Sequence, residues 1–168
     1  LSDRRQRQMC IRDRSYNLIV LEGFCMSKWS KKTFIEDVNK SCENDIALHC
    51  IELIDFSEKN SDEVSWGNGE GYGTMTFRCD SDYGLLPLFR LSSNGKLNLQ
   101  LNFLRSKNLH KQVLDDMVIK LESNFLREYD EESYPSDTYE PLEELFCTHN
   151  QLESFMKTIE GCTYRLKQ

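Results

Sequence analysis

The most regular alternation of apolar and polar residues lies between residues 63 and 104. Successive side chains of a β-strand point to opposite faces of a sheet, so such alternation is typical of strands with one buried face. In the last part of this stretch the apolar positions are Leu97, Leu99, Leu101 and Phe103, and the polar positions between them are Asn98, Gln100 and Asn102. We therefore predict an α+β fold in which residues 63–104 form an antiparallel meander of about four strands, with amphipathic helices packed on one face of the sheet.

Turn-forming residues divide this stretch into its strands. Residues 67–73 are rich in glycine, and we interpret them as a hairpin loop. Asn94-Gly95 predicts a type I′ hairpin turn, because both central residues of that turn need a positive φ. Pro87 has no amide hydrogen to donate, so we expect it at the start of its strand or at a β-bulge.

Helical periodicity occurs on both sides of the meander. Ser30 is a favourable N-cap for a first helix, and a second helix is predicted to follow near Asn44. After the meander, apolar residues at helical spacing predict a third helix from about residue 109 to residue 126.

The last forty residues combine an acidic stretch with two further helices. Residues 128–140 are predicted to form an exposed acidic loop, and Pro141 suits the first turn of a short helix. Thr148 and Gln151 form the capping-box pattern that opens the last helix, and Gly161 is expected to end it.

The first fourteen residues follow neither pattern. The run from Arg4 to Arg14 resembles the conceptual translation of a transposase-type sequencing adapter. We therefore predict that residues 1–14 are a disordered, non-native segment, and the alternative is a basic arm that binds nucleic acid. Residues 15–29 are predicted to hold a short strand and a junction, which either joins the meander or ends a missing upstream domain. Residues 30–168 are predicted to form a single α+β domain.

The net charge becomes more negative once the first segment is set aside. Residues 1–14 carry five arginines and two aspartates, so the net charge is −10 for residues 15–168 and −7 for the whole chain. Binding to duplex DNA depends on lysine and arginine contacts to phosphate, so we do not expect this domain to contact duplex DNA. No apolar run approaches the roughly 20 residues of a membrane-spanning helix, and no secretory signal pattern occurs. We expect a cytoplasmic domain without membrane contact.

The cysteine and histidine residues show neither catalytic nor metal-ligand spacing. No Cys-x-x-Cys pair occurs, and His49, His110 and His149 have no local Ser-His-Asp or Cys-His arrangement. The Asp and Glu-x-Lys pattern of metal-dependent nucleases is not found within residues 15–168. We therefore predict no metal, no cofactor and no catalytic residue, and we favour a role other than that of an enzyme.

Two groups of residues are candidates for binding. The first group is Trp66 and Tyr72 at the glycine-rich loop 67–73. Aromatic side chains in such a position can bind a peptide or a single-stranded nucleic acid. The polar side of the sheet offers hydrogen-bonding groups and little negative charge, and its candidates are Arg78, Asn98 and Gln100. Arg90 is a further candidate, as part of a candidate site next to the glycine-rich loop. The alternative for this side is an ordinary solvated face of an antiparallel sheet.

Six short segments carry a resemblance to a known group of proteins. They are residues 51–57, 64–69, 73–77, 87–91, 94–97 and 142–146. Together, over about residues 32–160, they resemble an uncharacterised module found near the C-terminus of bacterial proteins, some of which carry a restriction-endonuclease-like domain upstream. The resemblance implies an accessory or recognition role beside a nuclease, in defence or DNA metabolism, and it implies no catalytic residues.

Three hypotheses follow for the function. The first is a non-catalytic accessory or recognition module, the C-terminal part of a larger nuclease-associated protein, in contact with an upstream domain or a protein partner. The second is a small enzyme or ligand-binding domain with a site between the glycine-rich loop 67–73 and Arg78 or Arg90. The third is a protein-binding module that uses the acidic loop 128–140. Convergence in one pocket would favour the second hypothesis, and the residues that test it are Trp66, Tyr72, Arg78, Arg90 and His110.

Overall fold

A computed structural model describes residues 29–168. The predictions for residues 1–14, and for a strand in the segment that follows them, lie outside the described residues. Within the described part, helices pack against an antiparallel sheet, and the predicted α+β fold is confirmed.

Five antiparallel strands pair in chain order, so the predicted meander is confirmed and gains one strand. They are β1 (Glu63–Trp66), β2 (Thr74–Cys79), β3 (Leu86–Ser92), β4 (Lys96–Leu99) and β5 (Tyr139–Pro141). β5 arises from the stretch predicted as an exposed loop, and it pairs Tyr139 with Asn98. Its Pro141 is tolerated because β5 is the last strand in the order of this sheet, where a missing N–H removes no bond between central strands.

The prediction of a strand that continues to residue 104 is wrong. β4 ends at Leu99, and a short helix, α3 (Leu101–Ser106), follows it. Asp137 accepts hydrogen bonds from the N–H groups of Asn102 at 2.9 Å and Phe103 at 3.2 Å. A carboxylate from a distant part of the chain therefore caps this helix, whose own N-cap residue makes no side-chain cap.

The hairpin turn between β3 and β4 differs from the predicted type I′ geometry. Ser92 pairs with Lys96, so three residues form the loop, and of Asn94 and Gly95 only Gly95 has a positive φ, +77°. A three-residue hairpin loop of this kind needs a left-handed residue at its third position. A Cβ atom at Gly95 would also lie 3.0 Å from the Ile46 side chain, so both backbone conformation and close packing favour glycine there.

Pro87 lies at the start of its strand and beside a β-bulge, as predicted from its missing amide hydrogen. It is the second residue of β3, and the pairing with β2 is irregular there, because Phe77 faces Phe89 whereas the next residue, Arg78, faces Pro87. Leu88 is left as the extra residue of a β-bulge.

Five further helices surround one face of the sheet. They are α1 (Lys31–Ser41), α2 (Asn44–Asn60), α4 (Lys111–Phe125), α5 (Leu142–Leu145) and α6 (His149–Leu166). The predicted N-caps Ser30 and Thr148 both form capping boxes, so these starts are confirmed. The predicted end at Gly161 is wrong, because α6 continues for another turn in which Cys162 and Thr163 are buried.

An aromatic column joins the sheet to the helices. Phe77 and Phe89 stack on neighbouring strands with ring centroids 5.2 Å apart. Phe56 of α2 lies 5.8 Å from Phe77, and Phe155 of α6 lies 5.3 Å from Phe89. Aromatic rings bury large apolar areas, so this column fixes which face of the sheet belongs to the core.

Candidate functional site

The face of the sheet opposite the aromatic column carries a row of polar side chains. The strand register places Ser65, Thr76, Arg90, Asn98 and Tyr139 side by side across the five strands. Residues on either side of them along each strand point to the core, as Met75 and Phe77 do on β2. We call this row and its neighbours Tyr72, Arg78 and Gln100 the polar face.

The centre of the polar face is buried, which differs from the solvent-facing row predicted from the sequence. The relative exposures are 7% for Thr76, 5% for Asn98 and 5% for Gln100. Asn98 pairs with Arg90 and Tyr139 on its neighbouring strands. The Gln100 amide donates a hydrogen bond to the Asn98 side-chain oxygen. Buried amides need hydrogen-bond partners, so this pair favours one fixed arrangement.

Gln100 belongs to the polar face although it is not part of a strand. It follows β4, where its backbone N–H donates to the carbonyl oxygen of Leu88 at 3.1 Å. Asn102, which the strand pattern placed in the same row, lies on α3 and donates to the Tyr134 carbonyl oxygen at 2.9 Å.

Arg90 at the centre of the row and Tyr139 at its β5 end lie on either side of Asn98, and Tyr72 of the glycine-rich loop is near Tyr139. Burial raises the pKa of the Tyr139 hydroxyl, the nearby Arg90 guanidinium lowers it in part, and Tyr72 raises it. Tyr72 belongs to the glycine-rich loop and is 44% exposed. Two candidates from the sequence, Tyr72 and Arg90, are therefore brought together, and Tyr139 completes the group.

The two arginines of the polar face differ in their partners. Arg78 donates from Nε to the Ser65 hydroxyl at 3.1 Å, and the same nitrogen lies 3.6 Å from a carboxylate oxygen of Glu63. Among residues 29–168, no carboxylate oxygen lies within 4.0 Å of the Arg90 guanidinium. Arg90 is therefore the arginine of this face that offers charge to a ligand.

Trp66 flanks the glycine-rich loop but lies on the core side of the sheet and is not part of the polar face. It pairs with Met75 and thus points to the core side, where its ring lies 5.4 Å from the ring of Phe34. Because side chains alternate between the two faces along a strand, Trp66 points to the face of the sheet that Ser65 does not. Trp66 and Arg90 lie on opposite faces of the sheet. The residues whose convergence would favour an enzyme therefore do not meet in one pocket; they are Trp66, Tyr72, Arg78, Arg90 and His110.

Trp29 holds the glycine-rich loop from the core side. Its indole nitrogen donates to the Gly69 carbonyl oxygen at 2.8 Å, and its backbone N–H donates to the Gly67 carbonyl oxygen at 3.1 Å. A Cβ atom at Gly73 would lie 2.7 Å from the Trp29 ring. At that end of the loop, the missing side chain allows an aromatic ring to approach the backbone.

The acidic connection, residues 126–138 between α4 and β5, is a loop with mostly exposed residues, as predicted, but it is also anchored to the domain at several points. Tyr129 is 1% exposed and Tyr134 is 6% exposed. Arg127 at its start forms ion pairs with Glu140 at 2.6 Å and Glu144 at 2.7 Å. The Tyr129 hydroxyl donates to Glu140 at 3.0 Å.

Internal hydrogen bonds also occupy acidic groups within this connection. Asp137 caps α3, and Asp130 accepts from the N–H groups of Glu132 at 2.9 Å and Ser133 at 2.7 Å. The carboxylates of Glu131 and Glu132 lie on exposed residues at the outer end. A partner that binds this connection would therefore meet fewer free carboxylates than the sequence suggests.

The histidines are spread over different parts of the described chain. His49 and His149 line a cleft between α2 and the start of α6, whereas His110 directly precedes α4. His149 lies 3.7 Å from Glu52 and 3.5 Å from Glu153. Within residues 29–168, no group of three or more histidine, cysteine or acidic side chains is arranged to hold a metal ion.

Comparisons with protein-family models, with curated proteins and with solved structures found no match for this chain. None of the helices in the described part combines the length and the apolar character needed to cross a membrane. The polar face is therefore interpreted from its own chemistry.

Proposed function

We propose that this chain is a non-catalytic recognition module, the C-terminal part of a larger nuclease-associated protein, and that its polar face binds an extended acidic segment of an upstream domain or protein partner. The observation that carries the proposal is the strand register that places Arg90 and Tyr139 on either side of Asn98, whose buried side chain accepts a hydrogen bond from the buried amide of Gln100. The association with a nuclease rests on the six segments that resemble the bacterial C-terminal module.

The chemistry of the polar face favours a polypeptide ligand with a carboxylate. Arg90 offers a planar guanidinium to an acidic side chain, and such charge-assisted hydrogen bonds are stronger than neutral ones. The amides of Asn98 and Gln100 can donate to and accept from a peptide backbone. Tyrosine combines a large apolar surface with a polar hydroxyl, and for this reason it is common at protein interfaces.

The charge of the chain limits the ligand to few negative charges. The chain from residue 15 onward has a net charge of −10, which repels a polyanion at long range, so the attraction of an acidic ligand depends on local contact with Arg90. One arginine without a carboxylate partner suits a single carboxylate better than the regularly spaced phosphates of a nucleic acid.

A peptide titration tests this proposal. The full chain is labelled with ¹⁵N and titrated with an extended peptide containing aspartate and glutamate, and with the same peptide containing asparagine and glutamine. We expect the acidic peptide to shift the side-chain amide signals of Asn98 and Gln100, and the neutral peptide to shift them much less. Arg90→Gln is expected to abolish the effect. Arg165→Gln is the matched control, because Arg165 lies on α6 and pairs with Asp116.

Two results would contradict the proposal. If Arg165→Gln and Arg90→Gln weaken binding equally, the attraction is non-specific. If a single-stranded oligonucleotide shifts the same amide signals and the acidic peptide does not, the polar face recognises nucleic acid instead of protein.

A further inference from the structure

β1 is the first strand in the order of the sheet, so no strand of residues 29–168 lies on the side that faces away from β2. We call this side the open edge. Gly67, which directly follows β1, donates from its N–H to the Thr74 carbonyl oxygen at 2.8 Å, so these two residues form a hydrogen-bonded pair. Bonded and non-bonded pairs alternate along an antiparallel ladder, so Trp66 and Val64 belong to non-bonded pairs. Their N–H and C=O groups therefore point to the open edge.

The open edge is incomplete in two respects. The N–H and C=O groups of Val64 and Trp66 have no hydrogen-bond partner among residues 29–168, and a row of such groups is a template for one more strand. The side chains of Val64 and Trp66 point to the core side but are only half-buried, whereas Met75 and Phe77 on β2 are fully buried. An added strand would satisfy the backbone groups and cover apolar surface at the same time.

The same chain brings a strand-forming segment to this edge. The backbone N–H of Trp29 donates to the Gly67 carbonyl oxygen at 3.1 Å, so the chain reaches the described domain at the end of β1. Residues 17–24 are predicted as a strand from their sequence, Asn-Leu-Ile-Val-Leu-Glu-Gly-Phe. Only residues 25–28 separate them from Trp29, so this segment is within reach of the open edge.

We propose that residues 17–24 form a sixth strand that pairs with the open edge of β1 and runs parallel to it. This inference is independent of the function proposed for the polar face. The run from Leu18 to Leu21 supplies apolar side chains to both faces of a strand, so either register covers Val64 and Trp66 with apolar groups. The N–H groups of Val64 and Trp66 then donate to carbonyl oxygens of the added strand.

The short link to Trp29 favours the parallel direction. β1 runs toward Gly67, where Trp29 is bound, so a parallel strand ends close to Trp29. An antiparallel strand would end beside Glu63, and residues 25–28 would then have to return along the whole of β1, over about 13 Å. Parallel neighbours need a crossover of about a dozen residues or more, and α1 and α2 provide one before β1 begins.

The proposal changes the boundary of the domain. With a sixth strand, the α+β domain begins near residue 17 instead of residue 30. It also closes the open edge, because a paired strand no longer offers free backbone groups to other chains. The alternative is that residues 17–24 end a missing upstream domain, and in that case they do not pair with β1.

Hydrogen exchange of the full chain tests the proposal. The ¹⁵N-labelled protein is transferred to deuterated water, and the amide signals of Val64 and Trp66 are followed. We expect both to exchange slowly, as does the amide of Met75, which faces β3 and reports that the domain is folded. Nuclear Overhauser contacts between residues 17–24 and β1 are expected to identify the partner strand.

Two neighbouring proline variants provide a matched comparison. Successive residues of a strand point their N–H groups to opposite sides, so of Ile19 and Val20 one donates to β1 and the other points to solvent. Proline is tolerated in an edge strand where the missing N–H faces solvent. We expect one of Ile19→Pro and Val20→Pro to speed exchange of the Val64 and Trp66 amides by about tenfold or more, and the other to change it much less. Gln8→Pro is the control outside the strand and is expected to leave exchange unchanged.

Four results would overturn the proposal. If the Val64 and Trp66 amides exchange as fast as in an unfolded chain while Met75 is protected, nothing pairs with the open edge. If they are protected and neither proline variant speeds their exchange, another segment covers it. If their protection rises with protein concentration, a second copy of the chain pairs with β1. Close contacts between α-hydrogens of opposite residues would show an antiparallel strand instead of a parallel one.

Discussion

The glycine-rich loop 67–73 and the acidic connection 126–138 lead to the two tyrosines beside Arg90, and they are fixed in opposite ways. The loop lacks side chains where it meets Trp29, so the backbone lies against an indole ring. The acidic connection is held by its charged and hydroxyl groups, which bind Arg127, the start of α3 and each other. The glycine-rich loop is held because its glycines allow close backbone packing, and the acidic connection is held because its polar side chains have hydrogen-bond and ion-pair partners. A high content of glycine or of acidic residues therefore does not by itself indicate mobility.

The largest expected effect concerns the glycine-rich loop. Gly73→Ala would place a Cβ atom 2.7 Å from the Trp29 ring and 2.8 Å from the Phe34 ring. Overpacking of this kind costs about 1–3 kcal/mol, and we expect a loss of about 3 kcal/mol in the free energy of unfolding. Gly69→Ala is the matched control, because nothing lies within 4 Å of a Cβ atom there. Urea unfolding measures both, and equal losses would contradict the close approach of Trp29.

The second largest loss of stability is expected when the positive charge at the start of the acidic connection is removed. Arg127→Gln leaves Glu140, whose side chain is 12% exposed, without its ion pair. An uncompensated carboxylate with little exposure costs about 1–3 kcal/mol, and we expect about 2 kcal/mol by urea unfolding. Arg165→Gln breaks a more exposed pair and should cost about 0.5 kcal/mol or less. If the two variants lose equal stability, Arg127 does not hold the connection.

A smaller effect is expected for the capping carboxylate. Asp137→Ala leaves the N–H groups of Asn102 and Phe103 without their acceptor, which costs about 1 kcal/mol at a helix N-terminus. Asp137→Asn keeps one side-chain oxygen and should lose less. Hydrogen exchange of these two amides provides the local measurement. Unchanged protection in Asp137→Ala would show that the carboxylate does not cap α3.

The smallest effect per residue is a loss of stability at alkaline pH. Burial raises the pKa of Tyr129, Tyr134 and Tyr139, which lie in or next to the acidic connection. Tyrosine in the unfolded chain loses its proton near pH 10, whereas the folded protein keeps these protons to higher pH. Their stabilisation is therefore complete below about pH 10 and is lost as the pH rises through the folded pKa values.

At about pH 10 the expected loss is about 0.4 kcal/mol for each of these tyrosines, because half of the unfolded side chains are then ionised. Urea unfolding at about pH 8 and about pH 10, with tyrosinate absorbance as a second signal, measures this difference. Tyrosinate that appears in the folded protein at the same pH as in the unfolded chain would contradict it.

Local patterns in the sequence predicted the parts of the fold that depend on neighbouring residues. Alternation identified β2, and the capping boxes at Ser30 and Thr148 identified the starts of two helices. These features are decided within a few residues. At Gly161 a local rule failed, because burial of the following turn keeps α6 helical past a residue that is otherwise common at helix ends.

Long-range contacts account for what the sequence did not predict. Leu101 and Leu104 fit a strand that continues from β4 and also the buried side of a helix, and Asp137 favours the helix. In the site, Tyr72 and Arg90 were identified from chemistry, but Tyr139 was missed because its partner strand is distant in sequence. Strict period-two reasoning along β1 would have placed Trp66 on the core side.

The pairing of β5 with β4 has a consequence for the protein during its synthesis. β1 to β4 follow one another closely in the chain, whereas Tyr139 reaches Asn98 only after α3, α4 and the acidic connection have been made. Until residue 141 has emerged from the ribosome, a nascent chain has four strands and an incomplete row of polar side chains. A ligand of the proposed kind that requires Tyr139 therefore binds only after β5 has paired with β4.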